Sequence, residues 1–332
     1  MRWLVTGGCG FIGRNLLGLL LRQPNDTIRV VDDLSVGKRD DLAGVAEFAE
    51  LDPGSLEARP SRPEGRARIE LVVGDVRDAD LARRAIVGMD TVVHLAANTG
   101  VGPSLTNPRL DCTANVIGTL NCLEACRHAG AKRFVFASSG AAIGECEPPI
   151  HEKLPARPVS PYGASKLAGE AYCSAYKHCF GLDTVVLRFG NCYGPLSTHK
   201  SSIVAKFIRE AMQGQAWEIY GDGRQTRDFI FVEDIVEAIV RAAIAVDAGG
   251  EVFQIATNTE TTVLELAEKL SQILRRAGLE FPAIRHRQSR AGDVKRNYSD
   301  TSKARRELGW SARTNLEQGL ERTVDWFLSQ RS

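Results

Sequence analysis

The chain has 332 residues, 43% of them hydrophobic and 25% charged, with a net charge of +1. That balance suits a soluble protein of one large domain or two packed ones, and gives no global pull toward nucleic acid or a membrane surface. No apolar run reaches the ~20 residues of a transmembrane helix, and the opening MRWLVTGG lacks the plan of a signal peptide, so a cytoplasmic protein is expected.

Over the first 190 residues, short apolar runs alternate with longer helical patterns. Strands are expected at Trp3–Val5, Ile28–Val31, Ile69–Val73, Thr91–His94, Phe134–Ala137 and Thr184–Phe189. Helical periodicity fills Phe11–Leu21, Asn115–Ala129 and Tyr162–Cys179. Alternation of this kind predicts an α/β fold, a doubly wound parallel sheet built from βαβ units. The stretch DPGSLEARPSRPEGRAR (52–68) reads as a surface excursion before the third strand. Beyond residue 190 the alternation weakens, and NCYGPLSTHK and IYGDGRQTRD read as loops presenting polar groups. DFIFVEDIVEAIVRAA then returns to a strand and helix, and Val263–Ala277 reads as a further helix. The expected division is a nucleotide-binding domain over 1–190, rejoined by 228–256, and a smaller C-terminal α/β substrate-binding domain from 191–227 and 257–332.

Eight cysteines form no Cys-x-x-Cys pair, and six histidines show no ligand spacing. The cysteines are expected as small buried hydrophobes in a reducing compartment, and no metal site is expected.

The glycines of TGGCGFIG, residues 6–13, gain meaning from their context. A strand precedes Gly7, Gly10 and Gly13, a helix opens at Phe11 and Ile12, and Asp32 ends the next strand. This is the Rossmann-type arrangement in which a pyrophosphate lies against a helix N-terminus. The Asp32 carboxylate suits ribose hydroxyls and would repel a 2′-phosphate, which favours NAD over NADP. Asp75 and Val76 of GDVRD follow the third strand, where Asp75 could meet the adenine or, like Asp78, cap a helix. Leu95, Ala96 and Ala97 end the fourth strand with small residues that leave room for a cofactor.

SPYGASK, residues 160–166, carries the chemistry. Ser160 as N-cap and Pro161 at the first helical position would start a helix, which places Tyr162 and Lys166 on one face. A tyrosine is a poor base at neutral pH unless a neighbouring cation stabilises its phenolate.

TGGCGFIG, the HLAA turn, NVIGTLNCLEA, FASSGAAIG, YGASK, RFGNCYGP and GDGRQTRDFIFVEDI follow one another in this order, and RAGDVKRNYSDTSKARRELGW closes the series. In these motifs the chain resembles the extended short-chain dehydrogenases/reductases, and among them the nucleotide-sugar epimerases of the UDP-glucose 4-epimerase type. The resemblance implies tightly bound NAD and a catalytic group of Ser139, Tyr162 and Lys166, with Asn115 supporting the lysine. Ser139 would hold the reacting hydroxyl and Tyr162 would remove its proton as hydride leaves sugar C4. It also implies diphosphate contacts from Asn191, Arg227 and Arg290. Asn297 would fall where relatives limit room for a 2-N-acetyl group. A homodimer through a four-helix bundle of 115–128 and 162–179 is implied as well.

Two departures sharpen this expectation. Ile143 stands where many relatives have a tyrosine. Gly140 and Ala141 stand where the dehydratases of this superfamily carry an Asp-Glu pair, and neither can do general acid–base work. C4 epimerisation of a UDP-hexose is therefore the leading expectation. A 4-ketoreductase is the alternative, and a non-catalytic NAD sensor would not be expected to keep the Tyr–Lys pair.

Overall fold

The computed structural model describes residues 1–56, 68–200, 202–280, 283–288 and 294–330. Fourteen strands are described. Seven precede residue 190: β1 (Arg2–Thr6), β2 (Thr27–Asp32), β3 (Phe48–Leu51), β4 (Ile69–Val73), β5 (Thr91–His94), β6 (Arg133–Ser139) and β7 (Asp183–Phe189). Then come β8 (Asn191–Tyr193), β9 (Trp217–Tyr220), β10 (Thr226–Arg227), β11 (Phe229–Phe231), β12 (Val252–Ile255), β13 (Thr261–Thr262) and β14 (Ile284–Arg287). Eight of them form one sheet in the order β12-β7-β6-β5-β1-β2-β4-β3, parallel throughout.

Strand order reverses between β1 and β5, where Thr6 lies opposite His94. In open parallel sheets the ligand crevice opens beyond the strand ends at such a point. Alternation along β1 shows why both faces are covered. Trp3 and Val5 join the core under the helices Phe11–Leu20 and Val232–Ile244, while Leu4 joins the opposite core with Phe134, Phe136 and Tyr176. A third core gathers Phe207, Trp217, Phe231, Leu266 and Phe327, with Trp217 stacked on Phe207 at 4.5 Å between centroids. Burial of such side chains contributes about 1.5–3 kcal/mol each. Ala304, Leu308 and Trp310, late in the chain, pack into the first of these cores.

Several expectations are refined. The strand β3 has no counterpart among the expected strands, because FAEL is short and lies on the sheet edge, with no fully buried position. The chain after it, 57–67, lies outside the described residues. The helix expected from Asn115 has no fresh start there. Asn107 caps Pro108–Cys112, a π-helical turn follows over Thr113–Ile117, and α-helix resumes over Gly118–Ala129. Cys9, Cys122, Cys126, Cys173 and Cys192 are buried, but Cys112 and Cys179 are exposed, contrary to the expectation for all eight. Strands buried on both faces are expected to be almost wholly apolar, but Arg29 on β2 pairs with Glu70 on β4, and Arg188 on β7 pairs with Glu170. Among the described residues no helix is long and apolar enough to cross a membrane.

Candidate active site

The glycine turn closes the end of β1 against its neighbours. Gly7 has φ +69°, and a Cβ there would sit 2.8 Å from the Ala96 backbone nitrogen. A Cβ on Gly13 would meet the Gly7 carbonyl oxygen at 2.5 Å, so any side chain at either position would force the turn apart. Gly10, extended at the N-cap, donates its N–H to the Gly7 carbonyl at 3.1 Å, and Phe11 and Ile12 in the first helical turn leave N–H groups for an anion. Asp32 is buried at the end of β2, and its two oxygens accept from the Cys9 and Leu34 N–H groups, each at 2.9 Å. Burial raises its pKa, while those two bonds oppose the rise. Leu34 itself has φ +57°, a strained conformation for leucine beside the expected ribose position.

Around this turn, Leu95 donates its N–H to the Thr6 carbonyl and Ala96 donates to Thr6 Oγ1. Ala97 continues the same small-residue stretch. Val76 is buried, and its carbonyl accepts from Asn121. Asp75 does not cap a helix. It accepts from the Arg77 backbone and guanidinium, which lowers its pKa, while Asp78 is the cap, accepting from the N–H groups of Asp80 and Leu81. The segment after β8 packs over the same helix. Arg14 pairs with Asp41 and donates to the Leu196 carbonyl, His199 contacts Asp41, and the Lys200 ammonium lies 4.6 Å from the Phe11 ring centroid.

Ser160 caps the helix Pro161–Phe180 by accepting from the Gly163 N–H at 3.1 Å, as the sequence predicts. Tyr162 and Lys166 thereby come against the ends of β5 and β6. Lys166 Nζ donates to the Ala137 carbonyl at 2.9 Å and lies 6.0 Å from the Tyr162 ring centroid. Burial pulls its pKa down to about 8, against the pull of Asp111 and Glu170. Burial pushes Tyr162 up to about 12, although a hydrogen bond with Ser139 works the other way. Ser139 Oγ also accepts from the Ala141 N–H at 3.2 Å. Ser138 donates to Glu170 at 2.5 Å, so one serine supports the strand end and the other faces the tyrosine.

Asn115 is buried, and among the described residues it makes no hydrogen bond with Lys166 itself. Its amide accepts from the Asn98 N–H at 2.7 Å and donates to the Asn98 carbonyl, Asp111 and Ser165. Asp111, Asn98 and Ser165 are thus neighbours of the site that the sequence did not single out. The signal was present in the spacing, because Asp111 precedes Asn115 by four positions and Ser165 precedes Lys166 directly. Burial also holds His94 neutral, with a pKa of about 3, between Thr6 and Thr119.

Of the expected sugar-nucleotide residues, Asn191 is exposed on β8 and its N–H donates to the Asp228 carbonyl. Arg227 on β10 donates to the carbonyls of Thr226 and Val294. Asn297 faces the end of β6: a Cβ on Gly140 would sit 3.6 Å from its Nδ2. Arg290 lies outside the described residues.

The residues present therefore fit a dinucleotide: a glycine cradle that no Cβ could share, free helical N–H groups, and a buried carboxylate at the ribose side. Comparison with known proteins agrees. A UDP-glucose 4-epimerase of Mycolicibacterium smegmatis is 35% identical over 98% of both chains. The crystal structure of a UDP-glucose 4-epimerase from Thermotoga maritima, solved with UDP-glucose, superimposes with a TM-score of 0.87 at 32% identity, covering 100% of each chain. A dTDP-glucose 4,6-dehydratase from Streptomyces venezuelae, solved with NAD bound, also gives 0.87 at 32% identity, covering 100% of this chain and 98% of that one. The profile of the NAD dependent epimerase/dehydratase family matches residues 3–256, and the chain is a member of that NAD-using family.

Proposed function

We propose that this protein inverts C4 of a nucleotide-diphosphate hexose, a UDP-hexose in the first instance, through a transient 4-keto sugar. The observation that carries this reading is the pairing of Ser139 with Tyr162 at a strand end followed by Gly140 and Ala141. A proton carrier is in place, and no carboxylate stands at the two positions after Ser139 to expel a C6 hydroxyl. The buried carboxylates close by are engaged elsewhere: Asp111 accepts from Asn115, and Glu170 from Ser138 and Arg188.

Bound NAD supplies a hydride acceptor and a positive ring that favours the phenolate of Tyr162. Ser139 orients the sugar hydroxyl, Tyr162 takes and returns its proton, and Lys166 stabilises the phenolate between the two transfers. Asn191, Arg227 and Arg290 are assigned to the diphosphate, for which the planar multidonor guanidinium groups are suited. Anchoring there leaves the keto sugar free to turn its other face before reduction.

The test is incubation with a panel of nucleotide sugars, without added cofactor, followed by NMR of the products. C4 inversion with no net change in NADH supports the reading. Loss of water, or a requirement for stoichiometric NAD(P)H, overturns it in favour of a dehydratase or a ketoreductase. Asn297 beside Gly140 is smaller than the tyrosine that limits room for a 2-N-acetyl group in relatives, so UDP-N-acetylglucosamine is expected to be accepted beside UDP-glucose. Turnover of UDP-glucose alone would remove that assignment.

A homodimer belongs to the same reading. Ile117 (42% exposed), Tyr172 (37%) and Phe180 (53%) leave apolar surface open on the helical segments expected to pair. Sedimentation equilibrium should give twice the chain mass, and Ile117→Glu combined with Phe180→Glu should return it to the monomer value. A wild-type monomer would refute the assembly.

A further inference from the structure

Asp111 sits in the helix Pro108–Cys112, one turn before Asn115 of the π-helical segment that follows, and is 1% exposed. One oxygen accepts from Asn115 Nδ2 at 3.1 Å, while Oδ2 has no hydrogen-bond partner; burial raises the pKa of the carboxyl, and Ser165 and Lys166 oppose the rise. The Nδ2 of Asn98, tied to Asn115 through its backbone, is likewise unpartnered. Among the described residues Asp111 makes no ion pair. A buried carboxylate left in this state is costly to the fold, and π-helical turns concentrate at functional sites.

We propose that Asp111 is a positioning carboxylate for the Tyr162–Lys166 pair: it fixes the amide of Asn115, which also holds Ser165 between the two, and it sets a fixed negative charge beside them. This rests on the reading of Tyr162 as proton carrier. The groups facing this charge are few. Tyr162, Ser165 and Lys166 come from the helix Pro161–Phe180, with Glu170 and Cys173 farther along it. Glu170 is already paired with Arg188 on β7. His94 on β5 is neutral, Arg109 on the same helix as Asp111 is exposed, and the adjoining helix Val101–Thr106 brings no titratable group.

The field of Asp111 raises the pKa of both partners. In the NAD-loaded protein the positive nicotinamide ring would draw the Tyr162 pKa below that of Lys166, so that activity rises with pH as Tyr162 loses its proton and falls as Lys166 loses its own. Removing the charge lowers both values, so both limbs of the pH profile should move to lower pH together. A purely structural residue would lower turnover at every pH and leave the limbs in place.

The experiment compares the NAD-loaded wild type with Asp111→Asn and Asp111→Glu. Isotopically labelled lysine ε-carbons are followed by NMR, with the Lys166 signal identified by its absence in Lys166→Met. In Asp111→Asn the Lys166 midpoint should fall by roughly half a pH unit or more, and both limbs of kcat on a UDP-hexose should follow. Asp111→Glu, which keeps the charge, should keep the midpoint. Asp111→Ser should show the same fall and serves if the Asn variant does not fold. An unchanged or raised midpoint overturns the proposal, whatever happens to turnover. A lowered midpoint in a protein that turns over no nucleotide sugar would sink the epimerase reading and leave the role of Asp111 standing.

Discussion

Tyr162→Phe is expected to reduce turnover of a UDP-hexose by roughly 10²–10⁴-fold, the range a positioned acid–base group contributes. The substitution removes one hydroxyl and leaves the ring in place. That hydroxyl meets Ser139, while the packing of the helix Pro161–Phe180 rests on other residues, such as Gly169 against the Phe136 ring and Tyr176 in the core. Thermal stability should therefore change little. Bound NAD should be retained, because the glycine turn and Asp32 lie apart from the lost hydroxyl. The measurement is steady-state turnover beside the NAD content of the denatured protein. Near-normal turnover, or loss of NAD in step with activity, would remove Tyr162 from its role.

That prediction was legible in the sequence because it depends on local rules. A helix start at Ser160 and Pro161 fixes the rotation of the helix, and four-residue spacing then fixes the shared face of Tyr162 and Lys166. The glycine turn, Asp32 and the parallel sheet were readable for the same reason: each is set by a strand, a turn and a helix adjacent in the chain. What escaped is what depends on distant partners. Edge strand β3 is held by pairing with β4 and has little apolar content of its own. Asp111 is an ordinary helical carboxylate until it meets Asn115, whose amide also gathers Asn98 and Ser165 from other segments. Asp75 was read as a possible cap, yet the choice between it and Asp78 turned on Arg77, whose guanidinium claims Asp75.

Long-range pairing also sets the second large effect, which falls on stability. Glu170 accepts from Arg188 Nε at 2.9 Å and Nη2 at 2.5 Å and from Ser138 Oγ at 2.5 Å, with both ionic side chains about 5% exposed. Arg188 and Ser138 are direct cross-strand neighbours on β7 and β6. Glu170→Ala would leave a buried guanidinium unpaired, and its Nη1 already lacks a partner. The expected loss is about 3–5 kcal/mol, read as a lower urea midpoint with an unchanged slope. Replacing the pair together, Glu170→Leu with Arg188→Met, should recover most of that loss, because well-packed apolar residues avoid the desolvation cost of two buried charges. The double variant then separates stability from function, since Ser138 adjoins Ser139. If a stable double variant turns over slowly, the ion pair holds the strand end that aims the catalytic hydroxyl; if it turns over normally, the pair serves the fold alone. A single Glu170→Ala variant as stable as wild type would show that Arg188 finds another partner, and would refute both expectations.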